Sequence, residues 1–213
     1  MNRTGLFLWV PRTGGSSVWA VMERRQMGHV SQRCVKRPFS PDKTLTTFQH
    51  ASIAALLDDE TITAEWLGRQ WKFTFVRHPA ARLVSVFHHL KQGGREHRAS
   101  VAGLEFPRFV EMACAGDVPP IDRDSTIGLG YANRQTDWMR MGQTWLPDYV
   151  GRLEDQPQSF LPVCEALGIR GNPQQSNQSI HKPWRDYYDG RRLQLVQRRY
   201  AEEIDLGKYS IGG

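Results

Sequence analysis

The stretch LFLWVPRTGGSSVWAVM (residues 6–22) decides the fold that we predict for this chain. Its apolar first part, residues 6–10, is typical of a buried strand. Residues 11–15, PRTGG, form a tight turn rich in glycine. Apolar side chains at Val18 and Val21 then recur at helical spacing. The sequence therefore predicts a strand, a glycine turn and a helix in direct succession.

This succession can bind a phosphate group. Gly14 and Gly15 let backbone N–H groups come close to an anion. The first turn of the helix adds donors and the positive end of the helix dipole. Ser16 and Ser17 are expected to cap the helix and donate hydroxyls, and Arg12 adds a fixed positive charge. A glycine-serine turn is also often an ordinary loop, and its spacing is not the G-x-x-x-x-G-K-[ST] of nucleotide kinases.

A second stretch, FTFVRHPAARLVSVFHHL (residues 73–90), repeats the arrangement. A strand is predicted to end at Arg77, and Pro79 suits the first turn of a helix. Apolar residues then recur at helical spacing. Arg77 and Ser85 are placed to share a second anion. Two such sites at the ends of two strands predict a ligand that is anionic at both ends.

The composition limits the classes of function. With 213 residues, the chain is long enough for one domain with a real core. Its net charge of +6 favours an anionic ligand. Nucleic acid is the competing explanation of that charge, but the basic residues are scattered among acidic ones, so we expect no nucleic-acid partner. The cysteines, Cys34, Cys114 and Cys164, lack metal-ligand spacing, so we expect reduced thiols, no metal and a cytoplasmic location.

No apolar run approaches the ~20 residues of a membrane helix, and the first strand follows almost at once after Met1. We therefore expect a soluble protein without a signal peptide or a membrane partner. Nothing in the sequence indicates an oligomeric state.

Strands and helices are predicted to alternate, which favours a mainly parallel sheet covered on both faces. We predict further strands at residues 45–48, 73–76 and 149–151, helices at residues 51–57, 106–115, 134–141, 160–167 and 193–203, and loops at residues 26–43 and 93–98. Ligands of such sheets bind beyond the carboxyl ends of the strands. Arg12, His50 and Arg77 all follow predicted strands and are expected to converge there.

These motifs carry a family resemblance. PRTGGSS (residues 11–17) resembles the 5′-phosphosulfate loop of the sulfotransferases, and FVRHPAARLVSVF (residues 75–87) resembles their 3′-phosphate motif, an Arg after a strand and a Ser eight positions later. The segments at residues 149–169 and 198–210 are similar to the distal part of the carbohydrate-type, Golgi-like branch. Eukaryotic Golgi members carry an N-terminal membrane anchor that this sequence lacks, so we expect a soluble, bacterial-type member or a shortened chain. The resemblance runs from Leu6 to Tyr209.

The resemblance implies a single domain over residues 1–213 with the P-loop-like three-layer α/β fold, a central parallel sheet flanked by helices. It implies metal-independent transfer of a sulfuryl group from 3′-phosphoadenosine 5′-phosphosulfate (PAPS) to a hydroxyl or amine of a carbohydrate or small molecule. The product nucleotide is adenosine 3′,5′-bisphosphate (PAP). The cofactor-binding residues that it implies are Arg12, Thr13, Gly14, Gly15, Ser16, Ser17, Arg77, Ser85 and Arg152.

The resemblance also assigns catalytic roles. It places His50 as the base that takes the acceptor proton, although a histidine at the start of a helix can also serve only in capping or packing. Arg12 would stabilise the leaving phosphate, but the family usually has Lys there, and His78 stands where Asp is more usual. Gln135 and Trp138 resemble a segment that faces the acceptor and the sulfate, although we favour core packing for Trp138.

Two other functions stay open at this point. A P-loop nucleotide kinase would hold Mg²⁺ with an Asp at the end of the neighbouring strand, where this chain has the cation Arg77. A non-catalytic relative that binds a nucleotide or a sulfated glycan is the second alternative, because Arg12 and His78 depart from the family pattern. The acceptor is not identified. We expect residues 26–43, 93–103 and 115–131 to shape its pocket.

Overall fold

The computed structural model describes residues 4–23, 28–29, 45–48, 50–117, 130–170 and 181–211. The strands are β1 Gly5–Phe7, β2 Gly28–His29, β3 Leu45–Thr47, β4 Trp71–Val76, β5 Arg140–Met141, β6 Thr144–Trp145 and β7 Tyr149–Arg152. The helices are α1 Gly15–Glu23, α2 Ile53–Asp58, α3 Ala64–Arg69, α4 Pro79–Gln92, α5 Arg95–Ser100, α6 Phe106–Ala115, α7 Leu161–Leu167, α8 Gly190–Arg199 and α9 Ala201–Gly207. Short 3-10 helices occupy Gln135–Trp138, Leu153–Asp155, Gln158–Phe160 and Trp184–Tyr187.

The central sheet is parallel, with its strands in the order β2-β3-β1-β4-β7. Gly5 of β1 lies opposite Leu45 on one side and Trp71 on the other. Val76, the last residue of β4, lies opposite Arg152, the last residue of β7. The segments that follow β1, β4 and β7 therefore leave the sheet at the same edge, as the sequence predicted.

Alternating side chains of the strands build a separate core on each face of the sheet. On one face Phe7, Phe73 and Phe75 are buried against α1 and α7. On the opposite face Leu6 and Leu8 pack with residues of α2 and α3. A third cluster joins α4, α6 and α8. The predicted three-layer α/β architecture is confirmed.

Most of the predicted elements are present, several with shifted ends. Residues 106–115 form α6 as predicted, and Gly168 ends α7 in the left-handed conformation with φ 62°. Ser52 caps α2, its hydroxyl accepting from the Ala55 N–H at 3.5 Å. The first strand is shorter than predicted, and it ends at Phe7 rather than Val10.

Two helix predictions were wrong in extent. The predicted helix at residues 193–203 is broken at Tyr200, whose φ of −112° separates α8 from α9. The Tyr200 ring is fully buried, and its hydroxyl donates to the Ala132 carbonyl at 2.7 Å, which fixes the break. Within the predicted helix at residues 134–141, Gln135–Trp138 form a short 3-10 helix. The residues that follow form β5, which pairs with β6 in a hairpin whose turn contains Gly142 with φ 58°.

Two short helices escaped prediction. Residues 93–98 were predicted as a loop, but Arg95–Ser100 form α5, whose charged residues give no apolar periodicity. Helix α3 was not predicted, although Thr63 caps it by accepting from the Trp66 N–H at 3.1 Å. In the described part of the chain, no helix has the length and hydrophobicity needed to cross a bilayer.

Candidate functional site

The turn after β1 is held by its own side chain and backbone. The Thr13 hydroxyl donates to the Val10 carbonyl at 2.9 Å, and Thr13 is fully buried. Because its hydroxyl faces inward, Thr13 can contribute to the predicted anion binding through its backbone. Helix α1 begins at Gly15, so Ser16 and Ser17 lie in its first turn and do not cap it, contrary to our expectation. Both still line the cavity at the sheet edge.

Close packing explains the two glycines of the turn. Gly14 has φ +84°, a conformation that L side chains rarely adopt, and an added Cβ would lie 2.4 Å from Leu153 Cδ1. An added Cβ on Gly15 would lie 1.7 Å from Trp9 Nε1. The indole of Trp9 thus lies directly against the start of α1. Arg12 also adopts positive φ, at 65°, a strained conformation that persists only where surrounding contacts fix it.

The two predicted motifs meet in space. Arg12 Nε donates to Ser85 Oγ at 3.0 Å, and Arg77 Nη1 lies 3.4 Å from the Arg12 carbonyl oxygen, which accepts from it. Arg77, Ser85 and the turn from Gly14 to Ser17 line one cavity. Burial lowers the pKa of Arg77 to about 10, so its guanidinium stays protonated at neutral pH.

Beneath this contact lies a buried arginine that sequence reasoning missed. Arg82 is 1% exposed and donates to the carbonyls of Pro11 at 3.0 Å, Asn133 at 2.8 Å and Tyr131 at 2.8 Å. It therefore joins the turn, α4 and the segment before the 3-10 helix at Gln135–Trp138. The only indication of this role in the sequence is that Arg82 stands within an apolar helical repeat. An arginine buried at such a position needs several hydrogen-bond acceptors.

Trp138 and Gln135 do not line the cavity. Trp138 is 3% exposed in the core, and its Nε1 donates to the His50 carbonyl at 3.1 Å. Gln135 is fully buried and bonds to the backbone of Arg77. The expectation that this segment faces the ligand is therefore wrong for Gln135, whereas Trp138 packs in the core, the interpretation that the sequence favoured.

The end of the cavity near the start of α4 is aromatic and basic. The His78 ring stacks on Trp184 with centroids 4.4 Å apart, and His78 is 7% exposed. Its backbone N–H donates to Glu154 Oε1 at 2.7 Å, and the Tyr209 hydroxyl donates to Glu154 Oε2 at 2.9 Å. His78 is therefore not an exposed residue, one of the two alternatives considered from the sequence, and it lines the cavity.

Arg152 lies at the same end, at the end of β7. Its guanidinium carbon lies 4.8 Å from the centroid of the Tyr209 ring, and its Nε lies 3.5 Å from Asp155 Oδ2. The structure thus pairs Arg152 with Asp155 and also places Arg152 in the cavity wall.

His50 lies on the other side of the turn from this basic end. Its Nδ1 lies 2.9 Å from the Trp9 carbonyl oxygen. Because a carbonyl oxygen only accepts, Nδ1 carries the proton and Nε2 keeps its lone pair. Burial lowers the pKa of His50 to about 4, with smaller contributions from His89 and the nearby arginines. His50 is therefore a neutral proton acceptor at pH 7.

Two further rings extend the cavity wall beyond His50. The Tyr131 ring lies 5.6 Å from the His50 ring and 5.4 Å from the His89 ring, measured between centroids. Burial lowers the pKa of His89 to about 4 as well, and the charge of Arg12 lowers it further. This end of the described cavity thus presents aromatic rings and neutral imidazoles.

The cavity has a volume of about 1080 Å³ and a strong charge bias. Among the described residues that line it, the acid is Glu154, while six cationic side chains face it: Arg12, Arg77, Arg152, Lys182, Arg185 and Lys208. Such a lining concentrates anions. The described residues contain no group of three or more metal-ligating side chains. Of the three segments expected to shape the acceptor pocket, most of residues 26–43 and 115–131 lies outside the described residues.

A family model described as "Sulfotransferase family" matches residues 6–209. The search of curated proteins found no match. The similar solved structures include two sulfotransferases. The mouse sulfotransferase SULT7A1, crystallised with PAP, has 15% identity and a TM-score of 0.60, over 97% of this chain and 87% of that chain. A sulfotransferase from Alicyclobacillus acidocaldarius has 12% identity and a TM-score of 0.52, over 96% and 94%. At these identities the two likenesses show the fold alone.

Proposed function

The chain belongs to the sulfotransferase family, and from this premise we propose that it transfers a sulfuryl group from PAPS to an acceptor hydroxyl without a metal ion. The observation that carries the proposal is the contact between Arg12 and Ser85, which joins the two anion-binding motifs in one cavity. A donor with phosphate groups at both its 5′ and 3′ positions can bind both of these motifs at once. The mouse relative was crystallised with PAP, the nucleotide that this reaction would release.

The 5′-phosphosulfate is proposed to lie against the start of α1. The backbone N–H groups of Gly14, Gly15 and Ser16 lie at that turn, and the positive end of the helix dipole adds to them. The Ser17 N–H donates to the Gly14 carbonyl at 3.0 Å, so Ser17 would contribute its hydroxyl. Arg12 supplies a full positive charge at the same turn. These groups would stabilise the negative charge that develops on the leaving phosphate oxygen.

The 3′-phosphate is proposed to bind Arg77 and Ser85. Arg77 follows β4 directly, and Ser85 lies two turns along α4 on the face that lines the cavity. Arg152 lines the same cavity from the end of β7 and adds a further positive charge near the nucleotide. The adenine ring of the nucleotide would then lie toward Trp184.

His50 is proposed as the catalytic base. Its Nε2 keeps a lone pair because Nδ1–H donates to the Trp9 carbonyl, so the acceptor hydroxyl can give its proton to Nε2 as its oxygen attacks the sulfur atom. The low pKa of His50 keeps this nitrogen unprotonated at neutral pH. Positioning and charge stabilisation carry the remainder of the reaction, as in phosphoryl transfer.

The acceptor is proposed to approach past Tyr131 and His89, next to His50. A carbohydrate or a small molecule can pack its ring on such side chains. A hydroxyl is favoured over an ammonium group, because Arg12 repels a cation there.

We also propose a cytoplasmic location. This agrees with the free thiol of Cys114, which burial makes unreactive by raising its pKa to about 11.

Thermal unfolding with different nucleotides tests this function. PAP should raise the Tm of the protein in the absence of magnesium, because a ligand that binds only the folded state stabilises it. Adenosine 5′-monophosphate (AMP), which lacks the 3′-phosphate, should raise it less at the same concentration. A larger stabilisation by ATP with Mg²⁺ than by PAP would contradict the proposal and favour a nucleotide kinase.

A further inference from the structure

A buried amide holds the backbone of Arg77. The Arg77 N–H donates to Gln135 Oε1 at 2.8 Å, and Gln135 Nε2 donates to the Arg77 carbonyl at 2.9 Å. Arg77 lies one residue past the end of β4. The side-chain amide of Gln135 therefore bonds to Arg77 as a neighbouring strand would, at the point where the strand itself has ended.

Glu203 in turn holds this amide. Its Oε2 accepts from Gln135 Nε2 at 2.6 Å, and its Oε1 accepts from the Gln135 backbone N–H. Gln135 Nε2 thus uses both of its protons, one toward Arg77 and one toward Glu203. The carboxylate also fixes which end of the amide is oxygen, since only the nitrogen end can donate to it.

The carboxylate itself is fully buried. Burial raises the pKa of Glu203 to about 7, a rise opposed by the charge of Arg82 and by the two hydrogen bonds from Gln135 and reinforced by Asp137. Tyr200 packs nearby, with its hydroxyl directed to the Ala132 carbonyl. A carboxylate placed at such a cost in desolvation calls for a reason beyond packing.

We propose that Gln135, oriented by Glu203, is a positioning residue that sets Arg77 to bind the 3′-phosphate of the nucleotide. The inference rests on the proposed function, since it assumes that Arg77 grips that phosphate. Arg77 begins the chain's exit from the sheet, and its side chain projects from a backbone that Gln135 fixes on both its N–H and its C=O. Loosening that backbone would misplace the guanidinium without removing it.

Nucleotide selectivity tests the proposal. Isothermal titration should measure the affinities of PAP and AMP for the wild-type protein, Gln135→Met and Glu203→Gln. We expect Gln135→Met to lower the affinity for PAP at least tenfold and the affinity for AMP less than threefold. Glu203→Gln should have a smaller effect of the same kind, because one of its two acceptors remains. A merely structural role would lower both affinities equally, which would overturn the proposal.

Thr136→Val is the matched control. Thr136 is the next residue, is also fully buried, and its hydroxyl donates to Glu202 Oε2 at 3.1 Å, so this variant removes a comparable contact with α9. It should leave the ratio of PAP to AMP affinity within twofold of the wild-type ratio. If Thr136→Val changes the ratio as much as Gln135→Met does, the inference is overturned.

Arg77→Ala separates the inference from its premise. If Arg77→Ala leaves the preference for PAP over AMP intact, the assignment of the 3′-phosphate to Arg77 fails. If Arg77→Ala removes the preference while Gln135→Met and Glu203→Gln keep it, Arg77 binds as proposed but Gln135 does not position it. Should Gln135→Met fail to fold, the volume-conserving Glu203→Gln decides the outcome.

Discussion

Arg12 and Ser85, 73 positions apart in the sequence, form a direct hydrogen bond of 3.0 Å between guanidinium Nε and hydroxyl Oγ. Arg12 belongs to the turn after β1, and Ser85 belongs to α4, which follows β4. The bond therefore couples the proposed binding sites for the 5′-phosphosulfate and the 3′-phosphate, because movement of one side chain changes the position of the other.

This coupling predicts non-additive effects on nucleotide binding. Arg12→Ala should weaken PAP binding at least tenfold, since hydrogen bonds to charged groups contribute about 1.5–3 kcal/mol. Ser85→Ala should weaken it less. Because the two groups are in contact, the double variant should lose less affinity than the sum of the single losses, with an interaction energy of about 1 kcal/mol. Isothermal titration of the four proteins measures this double-mutant cycle.

Arg69→Ala provides the control for loss of charge alone. Arg69 is an exposed residue of α3, paired with Glu65 at 2.5 Å, so its removal should leave PAP affinity unchanged. Strict additivity of the Arg12 and Ser85 effects would contradict the coupling.

The sequence identified this part of the site because its signals are local. A strand, a glycine turn and a helix were readable from residues 6–22 by periodicity alone, and the parallel sheet then brought Arg77 to the same edge. The link between Arg12 and Ser85 was not predictable, because it depends on the distance between two elements. Instead, the sequence suggested that each side chain contacts its own anion.

The supporting residues were hidden for a different reason. Gln135 was expected to face the ligand, yet it is fully buried, and Glu203 was predicted only as the last residue of one long helix. Burial of such polar groups follows from tertiary partners that are distant in the sequence, 68 positions apart in the case of Gln135 and Glu203. Local periodicity contains no information about those partners.

The packing of Trp9 on Gly15 predicts a specific steric conflict. Gly15→Ala should lower the Tm and weaken PAP binding, because its Cβ would lie 1.7 Å from Trp9 Nε1 and would force either the indole or the start of α1 to move. Trp9→Phe removes the nitrogen-containing ring from that position. The double variant Trp9→Phe/Gly15→Ala should therefore recover part of the Tm lost in Gly15→Ala, relative to Trp9→Phe alone.

Gly68→Ala is the matched glycine control. An added Cβ there meets no atom within 4 Å, and Gly68 lies within α3, where alanine is favoured over glycine by about 1 kcal/mol. This variant should be at least as stable as the wild-type protein. A Gly15→Ala protein with an unchanged Tm and unchanged PAP affinity would show that the turn tolerates a side chain.

The buried Glu203 predicts a pH dependence of stability. Its pKa is about 7 in the folded protein against about 4.3 in an unfolded chain, so between these values the folded state binds one proton more than the unfolded state. The free energy of unfolding should therefore fall as the pH rises from 5 to 8, by about 3 kcal/mol from this group. Urea denaturation of the wild-type protein and Glu203→Gln at both pH values measures the contribution as the difference between the two slopes.

Glu203→Gln is expected to be the less stable protein at pH 5, since its amide nitrogen faces a donor of Gln135. Its deficit relative to the wild-type protein should shrink as the pH rises. A constant difference between pH 5 and pH 8 would show that Glu203 titrates at its ordinary pKa, and that the donors of Gln135 and the charge of Arg82 fully offset its burial.

The role of His50 as the base predicts a loss of turnover without a loss of nucleotide binding. His50→Ala should lower kcat by about 10²–10⁴-fold, the usual contribution of a positioned base, while the Kd of PAP stays within twofold. His88→Ala is a suitable control, because His88 lies on α4 and bonds to the Tyr187 hydroxyl at 2.8 Å but is not among the described residues that line the cavity. PAP release from PAPS, measured with a panel of sugar and small-molecule hydroxyl acceptors, gives kcat. His50→Gln should not restore turnover. A glutamine side chain can also donate to the Trp9 carbonyl, as Nδ1–H does, but an amide cannot accept the acceptor proton at neutral pH. Full turnover in His50→Ala would assign the proton to another group of the cavity.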